Sequence, residues 1–309
     1  MFPVTLLSAI WIKFLTIGGM HRTLLAEKTF LSFGFLPVKD HYYQPLINPK
    51  KHLTKSLRTD RNLIGLDFNI KGQLNLLKQF SYNEELKLFP VNKKNQTSEL
   101  QFYYNNNSFE SGDAEFLYNI IRFFKPKKII EIGSGHSTLI AEAALKKNRE
   151  ENISSTSKHT CIEPYEQPWL EKIDAKIIRD KVENIELSLF SSLSENDILF
   201  IDSSHVIRPQ GDVLFEILEI LPSLNSGVII HIHDIFSPKN YPDDWIKKEH
   251  RLWNEQYLLE AFLSNNTDFE IIGSLNYLKH NYPEELKNVA PILKTQKDRE
   301  PGSFWIRKK

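Results

Sequence analysis

Cysteine is almost absent from this sequence of 309 residues. Cys161 is its only cysteine, so an internal disulfide framework and a zinc site of the CxxC type are both excluded. This usage fits a reducing compartment, and we expect a cytoplasmic protein. Glycine and proline are also sparse, with 12 and 15 residues, which excludes collagen-like and low-complexity chains. The 39 basic residues are balanced by 39 acidic ones, so no general attraction to nucleic acid is expected.

Long apolar runs are scarce as well, and the only one, at residues 2–19, is too short to cross a membrane. Lys13 divides the run and leaves eleven residues before it, whereas a helix needs about 20 apolar residues to span the hydrocarbon core. No basic segment precedes the run and no A-x-A-like cleavage site is evident, so a secretory signal is not predicted. We expect a docking helix or a disordered extension, or a start of translation at Met20.

A weak contact of residues 2–19 with a membrane surface is the alternative. Residues 13–61 contain nine basic and three acidic residues. The excess of six positive charges favours an anionic surface, and it is equally typical of a solvated face.

From about residue 110 the apolar pattern becomes regular and alternates between strands and helices. Runs such as IIEI at 129–132 predict strands buried on both faces. The other predicted strands are 159–163, 175–180, 197–202, 227–233, 268–276 and 303–307. Helices are predicted from Gly112–Asp113 to Phe124 and at 137–148, 167–173, 184–190, 211–223 and 252–264. This alternation predicts an α/β fold with a doubly wound, mostly parallel sheet.

Three segments are predicted along the chain. Residues 1–34 form an N-terminal extension, helical or disordered. Residues 35–110 form an N-terminal region that contributes a substrate lid, because Tyr42–Tyr43 and 103–107 mix aromatic and amide side chains. Residues 111–309 form the main domain that holds the sheet.

The most informative segment is a glycine turn, 131–138, between the first strand and the following helix. Gly133 and Gly135 remove side chains where the backbone turns sharply and a ligand can approach closely. The helix that begins near Ser137 directs unpaired N–H groups and a partial positive charge towards that ligand. A G-x-G pattern is weak evidence alone, but its position between a strand and a helix strengthens it.

Two acidic residues near the turn indicate which ligand it serves. A dinucleotide site would have a third glycine where Thr138 stands, and the Gly-Lys-Ser/Thr ending of a P-loop is missing. Glu163, at the end of the second strand, is placed to accept hydrogen bonds from ribose hydroxyls. Glu131, before the glycines, can engage an ammonium group. Ribose together with a cationic amino-acid tail describes S-adenosylmethionine better than NAD.

The runs EIGSGHSTLIA, CIEP, DILFIDSSH and GVIIHIHDIF resemble those of a class I S-adenosylmethionine-dependent methyltransferase. The chain is similar to the small-molecule O-methyltransferases that include macrocin-type sugar methyltransferases. It is more similar still to a bacterial branch that carries HYYQP, GDVLFEILEILP, WNEQYLLEAFL and a terminal GSFWI. This resemblance covers roughly Phe35 to Trp305 and does not identify the methyl acceptor.

The resemblance implies a Rossmann-like, seven-stranded sheet whose last strand is antiparallel, and it implies which residues hold the cofactor. Glu131, Gly133 and Gly135 would line its methionine end, Glu163 would hold the ribose, and Asp180 would lie near the adenine. The complete set of cofactor residues that we expect is Glu131, Gly133, Ser134, Gly135, Ser137, Glu163, Asp180 and Asp202.

Polar residues at the ends of the fourth and fifth strands predict the catalytic centre. Asp202 and His205 follow strand four, and His233 and Asp234 end strand five. Ligands of open α/β sheets collect at the carboxyl ends of the strands, so these four groups would surround the reacting methyl group. A histidine with a pKa near neutrality is suited to taking a proton from a hydroxyl group.

A divalent metal is a further possibility at this centre, but only part of the sequence pattern that binds it is present. In metal-dependent members of the wider family, an acid after strand four and a pair of acid or amide residues after strand five bind the ion. Asp202 and Asp234 match two of these positions, but Ile235 occupies the third. Only His205 or His233 could replace it, and an imidazole would favour a transition metal over Mg²⁺.

The leading hypothesis is a methyltransferase that methylates an oxygen of a small molecule or a sugar or glycan precursor. The alternative is a binding or scaffold protein that kept the fold and the cofactor but lost the chemistry. An NAD-dependent enzyme is disfavoured by Thr138. The fold alone does not choose among them.

Overall fold

Short apolar segments form the strands of one mixed sheet. The computed structural model describes residues 1–152, 156–165 and 167–309. The strands are β1 (Lys128–Ile132), β2 (Lys158–Ile162), β3 (Lys176–Ile178), β4 (Ile198–Ile201), β5 (Ile229–Ile232), β6 (Phe269–Ser274) and β7 (Phe304–Lys308). Their order is β3-β2-β1-β4-β5-β7-β6. Strands β1 to β5 are parallel, and β7 is antiparallel to β5 and β6. The predicted doubly wound, mostly parallel sheet is confirmed.

Helices connect the strands and precede them. Their bounds are α1 (Phe2–Leu15), α2 (Leu24–Ser32), α3 (Pro49–His52), α4 (Ile70–Leu77), α5 (Asn83–Leu86), α6 (Asp113–Phe124), α7 (His136–Glu151), α8 (Leu187–Phe190), α9 (Asp212–Phe215), α10 (Leu221–Ser223), α11 (Asp243–Lys247), α12 (Glu255–Leu263), α13 (Leu275–Asn281) and α14 (Pro283–Lys287). Single 3₁₀ turns occur at Met20–Arg22, Lys93–Asn95, Pro168–Lys172, Val182–Asn184 and Leu293–Thr295.

Three predicted helices take a different form. In the segment predicted at 184–190, only Leu187–Phe190 (α8) is an α-helix, and it follows the 3₁₀ turn Val182–Asn184. The segment predicted as one helix at 211–223 consists of α9, a π-helical stretch at Glu216–Ile220 and α10. The segment predicted at 167–173 is a 3₁₀ turn, Pro168–Lys172. Proline is tolerated only in the first turn of a helix, which is where Pro168 lies. A segment of five residues is short enough to form a 3₁₀ turn instead of an α-helix.

The alternation of side chains along the strands divides the core between two faces of the sheet. Ile129, Phe200 and Trp305 point to one face, where α6, α7 and α13 cover them. Ile130 and Ile201 belong to the other face, which α8 to α10 and α12 cover. Both faces are therefore apolar, as the continuous apolar runs of β1, β4 and β5 predict.

The chain divides into two compact units. We call residues 1–57 and 242–252 the helical unit, which contains α1, α2, α3 and α11, and residues 58–241 and 253–309 the sheet unit. Of the helices in the described part of the chain, none combines the length and apolar character that a membrane crossing requires.

Candidate active site

A cavity of about 410 Å³ opens at the carboxyl ends of β1, β2 and β4. Its walls come from residues 132–137, 162–165, 181–183 and 202–204, together with Ser108, Phe109, Gln167, Arg208 and Asp212. Its volume lies within the range of small-molecule sites. The cavity stands where the order of the sheet reverses, between β1 and β4, which is where open α/β sheets bind their ligands.

The glycine turn forms part of the cavity wall, and glycine is needed at its two positions for different reasons. Gly133 has a φ of +76°, and a Cβ atom on it would lie 1.8 Å from the carbonyl oxygen of Asp202. A side chain at Gly133 would therefore collide with the backbone that follows β4. A Cβ atom on Gly135 would meet no atom within 4 Å, so a side chain there would project into open space at the cavity wall.

Glu163 joins the glycine turn to the loop after β2. Its carboxylate accepts hydrogen bonds from the backbone N–H of Ser134, at 3.2 Å, and of Tyr165, at 2.9 Å. Glu163 and Ser134 both line the cavity, and Ser137 lines it from the first turn of α7. Six of the eight residues predicted for the cofactor thus line this cavity: Gly133, Ser134, Gly135, Ser137, Glu163 and Asp202.

Glu131 takes a different place from the one its motif predicts. Its side chain is buried, and Glu131 is absent from the described lining of the cavity. One carboxylate oxygen accepts a hydrogen bond from the hydroxyl of Ser137 at 2.6 Å, and the other lies 3.0 Å from Nε2 of His159. The opposite ring nitrogen of His159 lies 2.7 Å from Glu142. Glu131 therefore reaches the cavity only through Ser137.

The Glu131–His159 contact carries a charge inside the sheet unit. Burial alone would lower the pKa of His159, but Cys161, Glu131 and Glu142 outweigh burial and hold that pKa well above 6.5. His159 is consequently an imidazolium at neutral pH. Each of its nitrogens then donates to a carboxylate, since only the protonated ring donates from both.

Replacing His159 with leucine is expected to lower the free energy of unfolding by about 3 kcal/mol, because Glu131 would stay buried without its cation. The folded-state pKa of His159 is raised, so its stabilising contribution is complete below pH 6.5 and disappears as the pH rises through the raised value. Urea unfolding near pH 6 and near pH 9 should show a smaller difference between wild type and variant at the higher pH. His21→Leu, at an exposed position, is the control. An equal difference at both pH values would contradict the assignment of charge to His159.

Asp180 lies outside the described cavity wall. It is exposed, and one of its carboxylate oxygens accepts hydrogen bonds from the backbone N–H of Lys181 and the side-chain amide of Asn184, both at 2.7 Å. The two partners of Asp180 flank the 3₁₀ turn Val182–Asn184, Lys181 just before it and Asn184 at its end. The cavity is lined by Lys181, Val182 and Glu183 instead.

A carboxylate–histidine cluster stands beside the cavity: Asp202, His205, His233, Asp234 and Glu255. Nε2 of His205 lies 3.3 Å from Asp202 and 3.6 Å from Asp234, and Nδ1 of His205 lies 2.8 Å from Glu255. Nε2 of His233 lies 3.6 Å from Asp234. Asp202 belongs to both the cluster and the cavity wall, so it links the two.

Two members of the cluster have backbone conformations that residues other than glycine rarely adopt. His205 has a φ of +60° and Asp234 a φ of +56°. Such left-handed residues cost of the order of 1 kcal/mol or more and concentrate at functional sites. The turns directly after β4 and β5 therefore hold both side chains against their local preference.

The cluster is arranged to keep Asp202 ionised and His205 protonated. Burial would raise the pKa of Asp202, but His233 and His205 outweigh it and the pKa lies below its ordinary value. Burial opposes protonation of His205, yet the hydrogen bonds with Asp202 and Glu255 hold its pKa well above 6.5. The pKa of His233 is also raised against burial, by Asp234, Asp202 and Asp113. Burial raises the pKa of Glu255.

His231 does not share in this site. It is buried within the sheet, its ring stacks on Phe200 with centroids 4.0 Å apart, and Nε2 lies 2.9 Å from the hydroxyl of Ser303. Burial holds its pKa well below 6.5, so the ring is neutral and part of the core.

Glu255 and its neighbours were not among the predicted site residues. They interrupt the apolar face of the predicted helix 252–264, and each of them holds a loop of the site. The backbone N–H groups of Asn254 and Glu255 donate to the carbonyl of His205 at 3.1 and 3.3 Å. The side chain of Gln256 accepts from the N–H of Phe236 at 2.7 Å. The sequence signal that could have identified them is this run of three adjacent polar residues at the start of an otherwise apolar helix.

Two comparisons with known proteins bear on the family. Residues 130–235 match the family model of a methyltransferase domain, Methyltransf_24. A protein of Archaeoglobus fulgidus, described only as uncharacterized, is 32% identical over 168 residues, which are 51% of this chain and 74% of that protein.

A third comparison concerns solved structures. The O-methyltransferase from Bacillus cereus, whose crystal structure is a complex with SAH, is similar over 77% of this chain and 91% of its own, with 12% identity and a TM-score of 0.38. The assignment rests instead on the domain match. The chain therefore contains a methyltransferase domain, which runs from β1 to the end of β5 and includes the glycine turn.

Proposed function

We propose that this methyltransferase methylates a hydroxyl oxygen of a small molecule or of a sugar or glycan precursor. The observation that carries the proposal is the ion-paired cluster of Asp202, His205 and Asp234 beside the cavity. A hydroxyl group loses its proton when its oxygen is methylated, so a site for this reaction needs an acceptor for that proton. An ionised carboxylate at the cavity wall supplies one.

The cavity fits the cofactor of the family. The missing side chain of Gly135 leaves open space at the wall, and Glu163 presents a carboxylate at the end of β2. The first turn of α7 directs backbone N–H groups towards the same space. Gly133 to Ser137 would hold the amino-acid end and Glu163 the ribose. When bound, S-adenosylmethionine supplies a methyl group on a positively charged sulfur, which leaves with the electron pair of the broken carbon–sulfur bond.

Asp202 is the residue that we assign to the acceptor. Its carboxylate remains ionised because His205 and His233 hold its pKa low, and about 29% of its side chain is accessible. It accepts a hydrogen bond from the acceptor hydroxyl and takes the proton as the new carbon–oxygen bond forms. A weakly basic carboxylate is sufficient, because an oxygen with three bonds is far more acidic than a carboxylic acid.

The remaining members of the cluster position Asp202. His205 is held between Glu255 on one nitrogen and Asp202 and Asp234 on the other. This arrangement fixes the ring and orients the Asp202 carboxylate towards the cavity wall. His233 adds positive charge near both aspartates. Preorganised charges of this kind do not have to reorient during the reaction.

The experiment uses S-adenosylmethionine that carries ¹³C in its methyl group. The purified protein is incubated with that cofactor, a panel of phenols, sugars and sugar nucleotides, and a small-molecule extract of the source cells. We expect the label to appear as a methoxy carbon in the NMR spectrum of the product. Label in an N-methyl or C-methyl carbon would contradict O-methylation while leaving the family assignment intact.

A metal-assisted version of the same reaction is the second candidate. Asp202, His205 and Asp234 each offer one ligand atom, and these atoms lie within 4.8 Å of one another. One nitrogen and two oxygens suit a transition metal better than Mg²⁺, and Ile235 offers no side-chain ligand. A metal there would replace the proton on Nε2 of His205 and lower the pKa of the acceptor hydroxyl.

Chelation separates the two candidates. If the cluster works through its own charges, turnover is unchanged after dialysis against EDTA. Loss of turnover that Mn²⁺, Co²⁺ or Zn²⁺ restores would assign the metal-assisted version instead. Dialysis without EDTA is the control for losses during handling.

A further inference from the structure

The net charge of the whole chain is zero, but its two units carry net charges of opposite sign. The helical unit contains ten basic and five acidic residues, so the sheet unit contains the remaining 29 basic and 34 acidic residues. The helical unit therefore carries a net charge of +5 and the sheet unit a net charge of −5. Lys13, Arg22, Lys28 and Lys50 are among the exposed cations of the helical unit. A basic unit of this kind is attracted to anionic surfaces.

The same unit exposes an apolar helix. None of the residues of α1 is buried, and the side chains of Ile10, Trp11 and Phe14 keep 56%, 59% and 62% of their surface exposed. Large apolar side chains at positions 2, 4, 6, 7, 10, 11 and 14 of the sequence project from more than half of the helix circumference, at 100° per residue. Soluble proteins rarely leave a continuous apolar surface of this kind exposed.

The apolar character continues beyond α1. Leu24, Leu25 and Leu31 of α2 are 63%, 83% and 56% exposed, and Phe33 after it is 77% exposed. Trp11 and Phe14 stack with ring centroids 5.8 Å apart. Aromatic side chains are favoured at the boundary between acyl chains and headgroups.

We propose that the helical unit binds the surface of an anionic lipid bilayer, with α1 embedded in the boundary between headgroups and acyl chains. A helix of 14 residues is about 21 Å long, shorter than the hydrocarbon core of about 30 Å, so it inserts without crossing. Lys13 extends its ammonium group to the headgroups while its stem stays apolar. The cations of the unit add electrostatic attraction.

The distribution of apolar side chains favours a bilayer over a protein partner. A groove on a protein, or a second copy of this chain, would cover one stripe of the helix. The apolar side chains of α1 outside that stripe would then remain in water. The headgroup region of a bilayer covers a much wider arc of a helix that lies in it. The net charge of +5 on the helical unit is also complementary to an anionic bilayer surface.

The experiment measures flotation of the full chain with vesicles of phosphatidylcholine that contain about 30% phosphatidylglycerol, at low and high salt. We expect binding to these vesicles, less to pure phosphatidylcholine, and a decrease with salt. The combined variant Ile10→Glu, Trp11→Glu, Phe14→Glu should bind at least about tenfold less. Matched controls are Ile64→Glu and Leu88→Glu in the sheet unit, where the native side chains are 90% and 81% exposed; they should bind as the wild type does.

A second variant tests the charge separately from the helix. Lys50→Glu, Lys51→Glu and Lys55→Glu together should weaken binding to the anionic vesicles and remove most of its salt dependence. All variants are checked for unchanged melting temperature and S-adenosylhomocysteine affinity. The proposal is overturned if the full chain does not bind anionic vesicles at low salt, or if the α1 variant binds as well as the Ile64→Glu control. Oligomers that depend on α1, without vesicle binding, would assign the surface to a second copy and overturn it too.

Discussion

Replacing Asp202 with asparagine is expected to lower kcat by about 10²- to 10⁴-fold, the usual contribution of a positioned proton acceptor. The amide keeps the size of the side chain but cannot take a proton. His205 retains Asp234 and Glu255 as partners at 3.6 and 2.8 Å, so its charge stays compensated and the protein should fold. The KM for S-adenosylmethionine should change much less than kcat, because backbone and glycine positions hold most of the cofactor.

Asp298→Asn is the matched control for this prediction, since it makes the same chemical change at an exposed position. Both variants are measured in steady-state turnover with the acceptor found by methyl labelling, and cofactor affinity is measured by calorimetry. A variant at Asp202 with wild-type kcat would remove the proton acceptor from the mechanism. A loss confined to cofactor affinity would make Asp202 a binding residue only.

Replacing the two glycines of the turn is expected to have different effects. The Gly135 variant should lose cofactor affinity, and the Gly133 variant should lose stability. Gly135→Leu should weaken S-adenosylhomocysteine binding by about 10- to 100-fold, because its side chain enters the cavity and overpacking costs about 1–3 kcal/mol. Its melting temperature should stay close to that of the wild type, since a Cβ atom there meets nothing within 4 Å.

Gly133→Ala should instead lower the free energy of unfolding by about 3 kcal/mol or more. Its Cβ atom would lie 1.8 Å from the Asp202 carbonyl, and its φ of +76° is unfavourable for alanine. Calorimetry and thermal unfolding of both variants separate the two effects. Normal cofactor affinity in a folded Gly135→Leu protein would place the cofactor elsewhere.

Local patterns were sufficient for the strands of the sheet unit, whereas its helices α4, α5, α13 and α14 were not predicted. Each buried run predicted a strand, because a strand that is covered on both faces needs apolar residues throughout. The prediction of a methyltransferase with S-adenosylmethionine as its cofactor is confirmed, whereas the macrocin-type branch and the acceptor stay predictions. The glycine turn could be placed because a strand, two glycines and a helix are adjacent in sequence.

The direction of each polar side chain was decided by the tertiary structure. The motif assigns Glu131 and Glu163 to the same ligand, yet only Glu163 lines the cavity. Glu131 is opposite Cys161 in the pairing of β1 with β2, and this register brings His159 within 3.0 Å of its carboxylate.

The charge of the catalytic centre also depends on residues that are distant in sequence. Fifty residues separate His205 from Glu255, and the two meet because α12 begins against the loop that follows β4. A sequence pattern reports which residues can form a strand or a helix. It does not report which carboxylates will share one imidazole, since that depends on how the elements pack.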